Sequence, residues 1–131
     1  MARSRYVALA ITTILVGLAL HRTGLGLSPS ARDVLGDALW AAMMVWWVGV
    51  VAPSASLARR SVIAYAICVA VELSQLVHVP AIDAARRTTI GHLVLGSDFD
   101  PRDLAAYALG VAVAALLERA MRGARAPRTL A

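Results

Sequence analysis

Apolar residues in this chain fall into four long runs, Tyr6–Leu20, Val34–Ala52, Ser61–Val79 and Leu104–Met121. The stretches between them hold most of the arginines, prolines and acids. The runs are apolar on all sides instead of along one stripe, the pattern of helices surrounded by hydrocarbon. They predict an all-α membrane protein, a single polytopic domain over residues 1–131 with transmembrane spans at about 6–20, 34–52, 61–79 and 104–121. The first run holds 15 residues, fewer than the roughly 20 that cross about 30 Å of hydrocarbon. Snorkelling arginines and local bilayer thinning supply the difference.

The third connection, Pro80 to Arg102, is too long for a hairpin turn, and loops of that length carry function or structure of their own. Its middle, Thr88 to Gly96, is apolar enough to lie on the membrane or dip into it. A re-entrant or interfacial segment between the third and fourth spans is expected there, lidding whatever polar site lies below. Helix starts are marked by Ser30 followed by Asp33, in the form of a capping box, and by Asp100 with Pro101 at the first helical position.

Composition sharpens the membrane assignment. Of 131 residues, 60% are hydrophobic and 16% charged, with a mean hydropathy of +0.70, beyond ordinary globular usage. All 13 basic residues are arginine, which with the abundant alanine fits a GC-rich bacterial genome. The net charge of +5 does not indicate nucleic acid, because the arginines sit at the ends of the runs and form no basic stripe. They read instead as topology determinants and contacts to anionic lipids. With the N-terminus inside, Arg3, Arg5, Arg59, Arg60, Arg119, Arg122, Arg125 and Arg128 lie on the inner side. Arg22, Arg32, Arg86, Arg87 and Arg102 lie outside. This bias places both termini in the cytoplasm of a bacterial inner membrane. The basic start followed by an apolar run has the form of a secretory signal, but no Ala-x-Ala site stands near Leu20, so an uncleaved first span is expected.

Inside the third run the chain places Glu72 and Gln75, three residues apart and so on one helical face. An ionisable group in a span is costly, about 2.5 kcal/mol or more, and calls for a partner and a function. Helical rise puts Glu72 about 17 Å beyond Ser61, past the midplane. Asp37, Asp103 and Tyr107 fall at similar depth on the second and fourth runs. These five residues are expected to converge on a polar site facing outward, with Arg86 and Arg87 as cationic partners for the buried carboxylate. The inner halves of the runs carry almost no polar residues. Cys68 reads as a packing residue, and the isolated His21, His78 and His92 have no metal-ligand spacing. No catalytic residue, metal site or cofactor is expected.

The ordered set Gly36-Asp37-Ala38-Leu39-Trp40, Val71-Glu72-Leu73-Ser74-Gln75-Leu76, Arg86/Arg87 and Leu95-Gly96-x-x-Phe99-x-x-x-Asp103-Leu104-x-x-Tyr107-x-x-Gly110 resembles an uncharacterised bacterial membrane family, domain of unknown function 2809 (DUF2809), across nearly the whole chain. The order Glu72, Gln75, arginine, Asp103, Gly110 is also similar to VanZ-like proteins, which are associated with glycopeptide-antibiotic resistance at the cell envelope. Tyr107 stands where that pattern has asparagine. The resemblance implies a polytopic bundle with an envelope role and no established activity.

The reading that follows is a small inner-membrane protein whose outward polar site binds an envelope lipid or anionic headgroup. Arg86 and Arg87 would hold the anion, and Asp103 would orient an arginine. Its partners are then membrane lipids, an envelope precursor or a membrane protein, with no nucleic acid. A proton- or cation-linked small transporter using Glu72 is a second class, and a structural accessory subunit is a third. The stripe Ala105, Ala108 and Ala112 in the fourth span favours helix association. An enzyme is the least supported class, since no nucleophile–base pair stands out.

Overall fold

The structure is a computed structural model and describes residues 1–96 and 98–124. Arg125 and Arg128, counted above among the inner charges, lie outside the described residues. The described elements are α1 (Arg3–Thr23), α2 (Pro29–Val51), α3 (Leu57–Ser74), α4 (Pro80–Arg86), α5 (Thr89–Leu95) and α6 (Pro101–Gly123), with one 3-10 turn at Gly24–Gly26. α1 packs on α2, α2 packs on α6 and α3, and α3 packs on α6. The N-terminus, the α2–α3 turn and the end of α6 gather at one end of the bundle, here the terminal end. The α1–α2 turn and the α4–α5 hairpin gather at the other, the hairpin end.

Three stretches, Arg3–Gly26, Pro29–Val51 and Pro101–Gly123, are long and apolar enough to cross a membrane. α3 has 18 residues and carries Arg59, Arg60 and Glu72 within them, which sets it apart from the other three.

Local chemistry explains where the helices depart from the expected runs. α1 is 21 residues long, about 31 Å at 1.5 Å per residue. The flanking Arg3-Ser4-Arg5 and His21-Arg22-Thr23 are helical, since arginine is a good helix former, and no thinning is needed to span hydrocarbon. α2 starts at Pro29 with Ser28, not Ser30, as its cap: the Ser28 hydroxyl accepts from the Ala31 N–H at 3.3 Å. Proline at the first helical position fixes that start. α3 begins at Leu57, where the Ser56 hydroxyl accepts from the Arg59 N–H at 3.2 Å, and ends at Ser74, five residues before the apolar run does. Its exposed carbonyls are taken up elsewhere, as described below. Asp100 caps α6 as expected, with its Oδ1 accepting from the Arg102 N–H at 2.9 Å.

The core is continuous along the long helices. Tyr6, Ala10, Met43, Val45, Trp46, Val48, Ala64 and Ala114 form its main cluster, and Ala41, Cys68 and Tyr107 a second one. The packed face of α6 is Ala106, Gly110 and Ala114. The stripe Ala105, Ala108 and Ala112 is exposed, two residues out of register with the buried face Tyr107, Gly110 and Ala114. Gly110 sets the closest approach: a Cβ there would run into the Ala38 carbonyl of α2. In place of one covering segment, residues 80–95 make two seven-residue helices. None of α5 is buried, and Ile90, Leu93 and Val94 face outward.

Candidate functional site

α3 delivers Glu72 to the hairpin end, in its last turn, with no solvent exposure. This is nearer the helix end than the apolar run implied, because the helix both starts and stops earlier. Three donors meet the carboxylate. The Tyr107 hydroxyl donates to Oε2 at 3.0 Å, the Gln75 Nε2 to Oε2 at 3.3 Å, and the Asp100 backbone N–H to Oε1 at 2.7 Å. Glu72 thus ties α3 to the start of α6 and to the loop before it. Gln75 is the C-cap residue of α3, and its amide lies against Gly96. A Cβ at Gly96, whose φ is +66°, would collide with that amide, so glycine suits the position sterically and conformationally.

Asp37 of α2 and Asp103 of α6 complete the cluster. Their half-buried carboxyls lie close to one another and to Glu72. Glu72, Gln75, Asp37, Asp103 and Tyr107 therefore lie together at the hairpin end.

The arginines do not join them. The Arg86 Nη2 donates to the Ser74 carbonyl at 2.6 Å, and its Nη1 donates to the Val77 carbonyl at 2.9 Å and to Asp83 Oδ1 at 3.2 Å. Its guanidinium closes the C-terminal end of α3, where orphan carbonyls and the helix dipole favour a cation. Arg87 is exposed. Among the described residues no arginine pairs with Glu72, and Asp103 orients none.

Arg86 and Arg87 instead line an open cleft of about 580 Å³ on the hairpin side, with His21 from the end of α1 and Thr89 and His92 from α5. Asp83 is the acid in its wall, held by Arg86 and by His78 Nδ1 at 3.5 Å. The expected site is therefore two sites: a buried carboxylate cluster and, beside it, a cationic cleft. His21 and His92 look isolated in sequence, and the fold brings both into the lining of one cleft.

The terminal end holds a network that the sequence reading missed, and it overturns the expectation that inner halves of the spans lack polar residues. Glu118, fully buried, takes four contacts on one oxygen, Oε1. The Tyr6 hydroxyl donates at 2.9 Å, the Arg60 Nη2 at 2.7 Å, and Arg122 through Nε at 2.9 Å and through Nη2. The Arg60 guanidinium also stacks over the Tyr6 ring, 4.7 Å from its centre. A signal was present: Glu118 and Arg122 are four apart at the end of an apolar run, the spacing of a helical ion pair.

No solved structure matches the chain. Residues 27–111 match the family described as a protein of unknown function, DUF2809, a stretch that holds every residue of the carboxylate cluster together with Arg86 and Arg87. The match covers more than half of the 131 residues, and the chain belongs to the DUF2809 family.

Proposed function

We propose that this protein is a four-span membrane protein that binds an anionic headgroup in the cleft at its hairpin end. The observation that carries the reading is the make-up of that cleft: two arginines and two histidines from three helices face one open cavity, against a single carboxylate. Arginine presents a planar fork suited to phosphate oxygens, and the Thr89 hydroxyl beside it can complete an anion's shell. The exposed apolar side of α5, with Ile90, Leu93 and Val94, suits a helix lying in the membrane interface. It would hold the cleft at headgroup level.

In this reading α3 is the fourth span. Its charges do not exclude it, since Arg60 and Glu72 are both fully buried and hydrogen-bonded. In this reading the hairpin end faces outward from a bacterial inner membrane and both termini are cytoplasmic, which the arginine bias supports. The similarity to VanZ-like proteins in the order of Glu72, Gln75, Asp103 and Gly110 supports an envelope role.

The test is titration of the purified protein with glycerol phosphate, a headgroup without acyl chains, followed by thermal shift. Stabilisation is expected, and Arg87→Ala with His92→Ala should remove it. Arg86 is left in place because it also closes α3. Equal responses to glycerol and glycerol phosphate would overturn the reading.

One observation favours a second reading, proton- or cation-linked transport. Three carboxylates, Glu72, Asp37 and Asp103, meet without a cationic partner among the described residues. Uptake into proteoliposomes that follows a pH gradient and is lost in Asp103→Asn would select it.

A further inference from the structure

The terminal end carries a second lipid-facing feature, away from the cleft. α1 packs along α2 and makes little contact with α6 except at this end, where Tyr6 reaches Glu118 and Arg122. Just outside that link a groove of about 550 Å³ runs between α1 and α6, walled by Ala8 and Leu9 on one side and Met121 on the other, with Arg5 on its rim. Its volume falls within the ~300–1,000 Å³ of small-molecule sites. Arg122 follows Met121 directly, but its Nε and Nη2 are committed to Glu118, and Nη2 also to the Tyr6 hydroxyl at 3.3 Å, which leaves Arg5 as the arginine of the groove's lining among the described residues. The Arg122 side chain is 48% exposed.

Charge decides what fits. Arg3, Arg5, Arg59, Arg119 and Arg122 are all exposed at this end. The acid among the described residues there, Glu118, is buried, with Oε1 taken by Tyr6, Arg60 and Arg122 and Oε2 without a partner. An apolar groove with the Arg5 guanidinium on its rim, which makes no ion pair among the described residues, matches an acyl tail joined to a phosphate. Basic pockets between membrane helices recognise anionic phospholipids in this way.

We infer that the groove between α1 and α6 is a binding site for an anionic phospholipid, with one acyl chain against Ala8, Leu9 and Met121 and the phosphate against Arg5. The site goes beyond the headgroup cleft: it lies at the opposite end, needs an acyl chain, and uses none of the same residues. By bridging α1 and α6 the lipid completes a seam that protein side chains close only at its tip.

Native mass spectrometry of the full-length protein with added phosphatidylglycerol or phosphatidylcholine tests it. Preferential retention of phosphatidylglycerol is expected. Arg5→Ala should reduce that preference about fivefold, the weight of one basic contact near an anionic surface, while Arg5→Lys keeps most of it. Leu9→Trp, which fills the groove without touching the arginines, should abolish retention of both lipids. Arg87→Ala, at the cleft, should change neither. Equal retention of the two lipids by the unmodified protein, or an undiminished preference in both Arg5→Ala and Leu9→Trp, would overturn the proposal. The glycerol phosphate titration remains unaffected by either result, so the two sites succeed or fail separately.

Discussion

Glu72 shows how a single residue can be legible in sequence while its partners are not. An acid inside an apolar run announces itself, and its three-residue spacing to Gln75 fixes their shared face. Asp37, Asp103 and Tyr107 follow from counting turns on antiparallel helices. The donor that completes the carboxylate is different in kind: the backbone N–H of Asp100 has no signature in side-chain identity. Arg86 was the obvious counter-charge, yet the carbonyls at the end of α3 claim it, and where a helix will end is poorly marked by hydropathy. Truncation of Glu72 leaves the Tyr107 hydroxyl, the Gln75 amide and the Asp100 N–H without their acceptor. With one to three kcal/mol for each buried group left unpaired, Glu72→Ala should cost about 3–5 kcal/mol, and Tyr107→Phe about 1–2 kcal/mol. Thermal unfolding in detergent reads both, and a Glu72→Ala midpoint equal to that of the unmodified protein would show the contacts to be inessential. Glu118 obeys the same logic at the other end. Glu118→Ala strands the fully buried Arg60 and should cost about 3–5 kcal/mol. Arg122→Ala, removing a half-exposed partner, should cost about 1 kcal/mol or less. Reversal of that order would mean that Arg122, not Arg60, anchors the network.

At the scale of the helix, the runs of apolar residues marked each long element, while caps and charged ends set its limits. α1 gained its first and last turns from arginines that hydropathy counts as flanks. α3 slid towards its N-terminus because Ser56 supplied a cap and Arg86 supplied an end. The contact face of α6 was misplaced by two residues, since alanines occupy both candidate stripes and composition cannot choose between them. Gly110 breaks the tie, lying over the Ala38 carbonyl of α2. Gly110→Leu should push α2 from α6 at the level of the carboxylate cluster and destabilise by about 1–3 kcal/mol or more, as overpacked contacts do. Ala105→Leu, on the exposed stripe, should stay within about 0.5 kcal/mol. Comparison of the two unfolding midpoints distinguishes the faces, and equal losses would return the contact to the alanine stripe.

For the whole molecule the decisive question is whether α3 crosses the bilayer. Two polar clusters sit at its two ends, Arg60 with Glu118 at one and Glu72 with Tyr107 at the other, and both partners lie on α6, a helix long and apolar enough to span. A helix joined at both ends to such a neighbour, and packed on it and on α2 between, is expected to share their depth. Its 18 residues extend about 27 Å, close to the hydrocarbon thickness of about 30 Å, with its arginines at one rim. Cysteine accessibility tests this directly. In a Cys68→Ala background, single cysteines at the exposed positions Ser4, Ser30, Ser54 and Thr89 are reacted with a membrane-impermeant maleimide in sealed, oriented vesicles. With four spans, Ser4→Cys and Ser54→Cys label from one side, and Ser30→Cys and Thr89→Cys from the other. With three spans and α3 lying outside the bilayer, Ser54→Cys and Thr89→Cys label together. That second pattern would separate the carboxylate cluster from the cleft's membrane face and remove the structural ground for an outward-facing headgroup site.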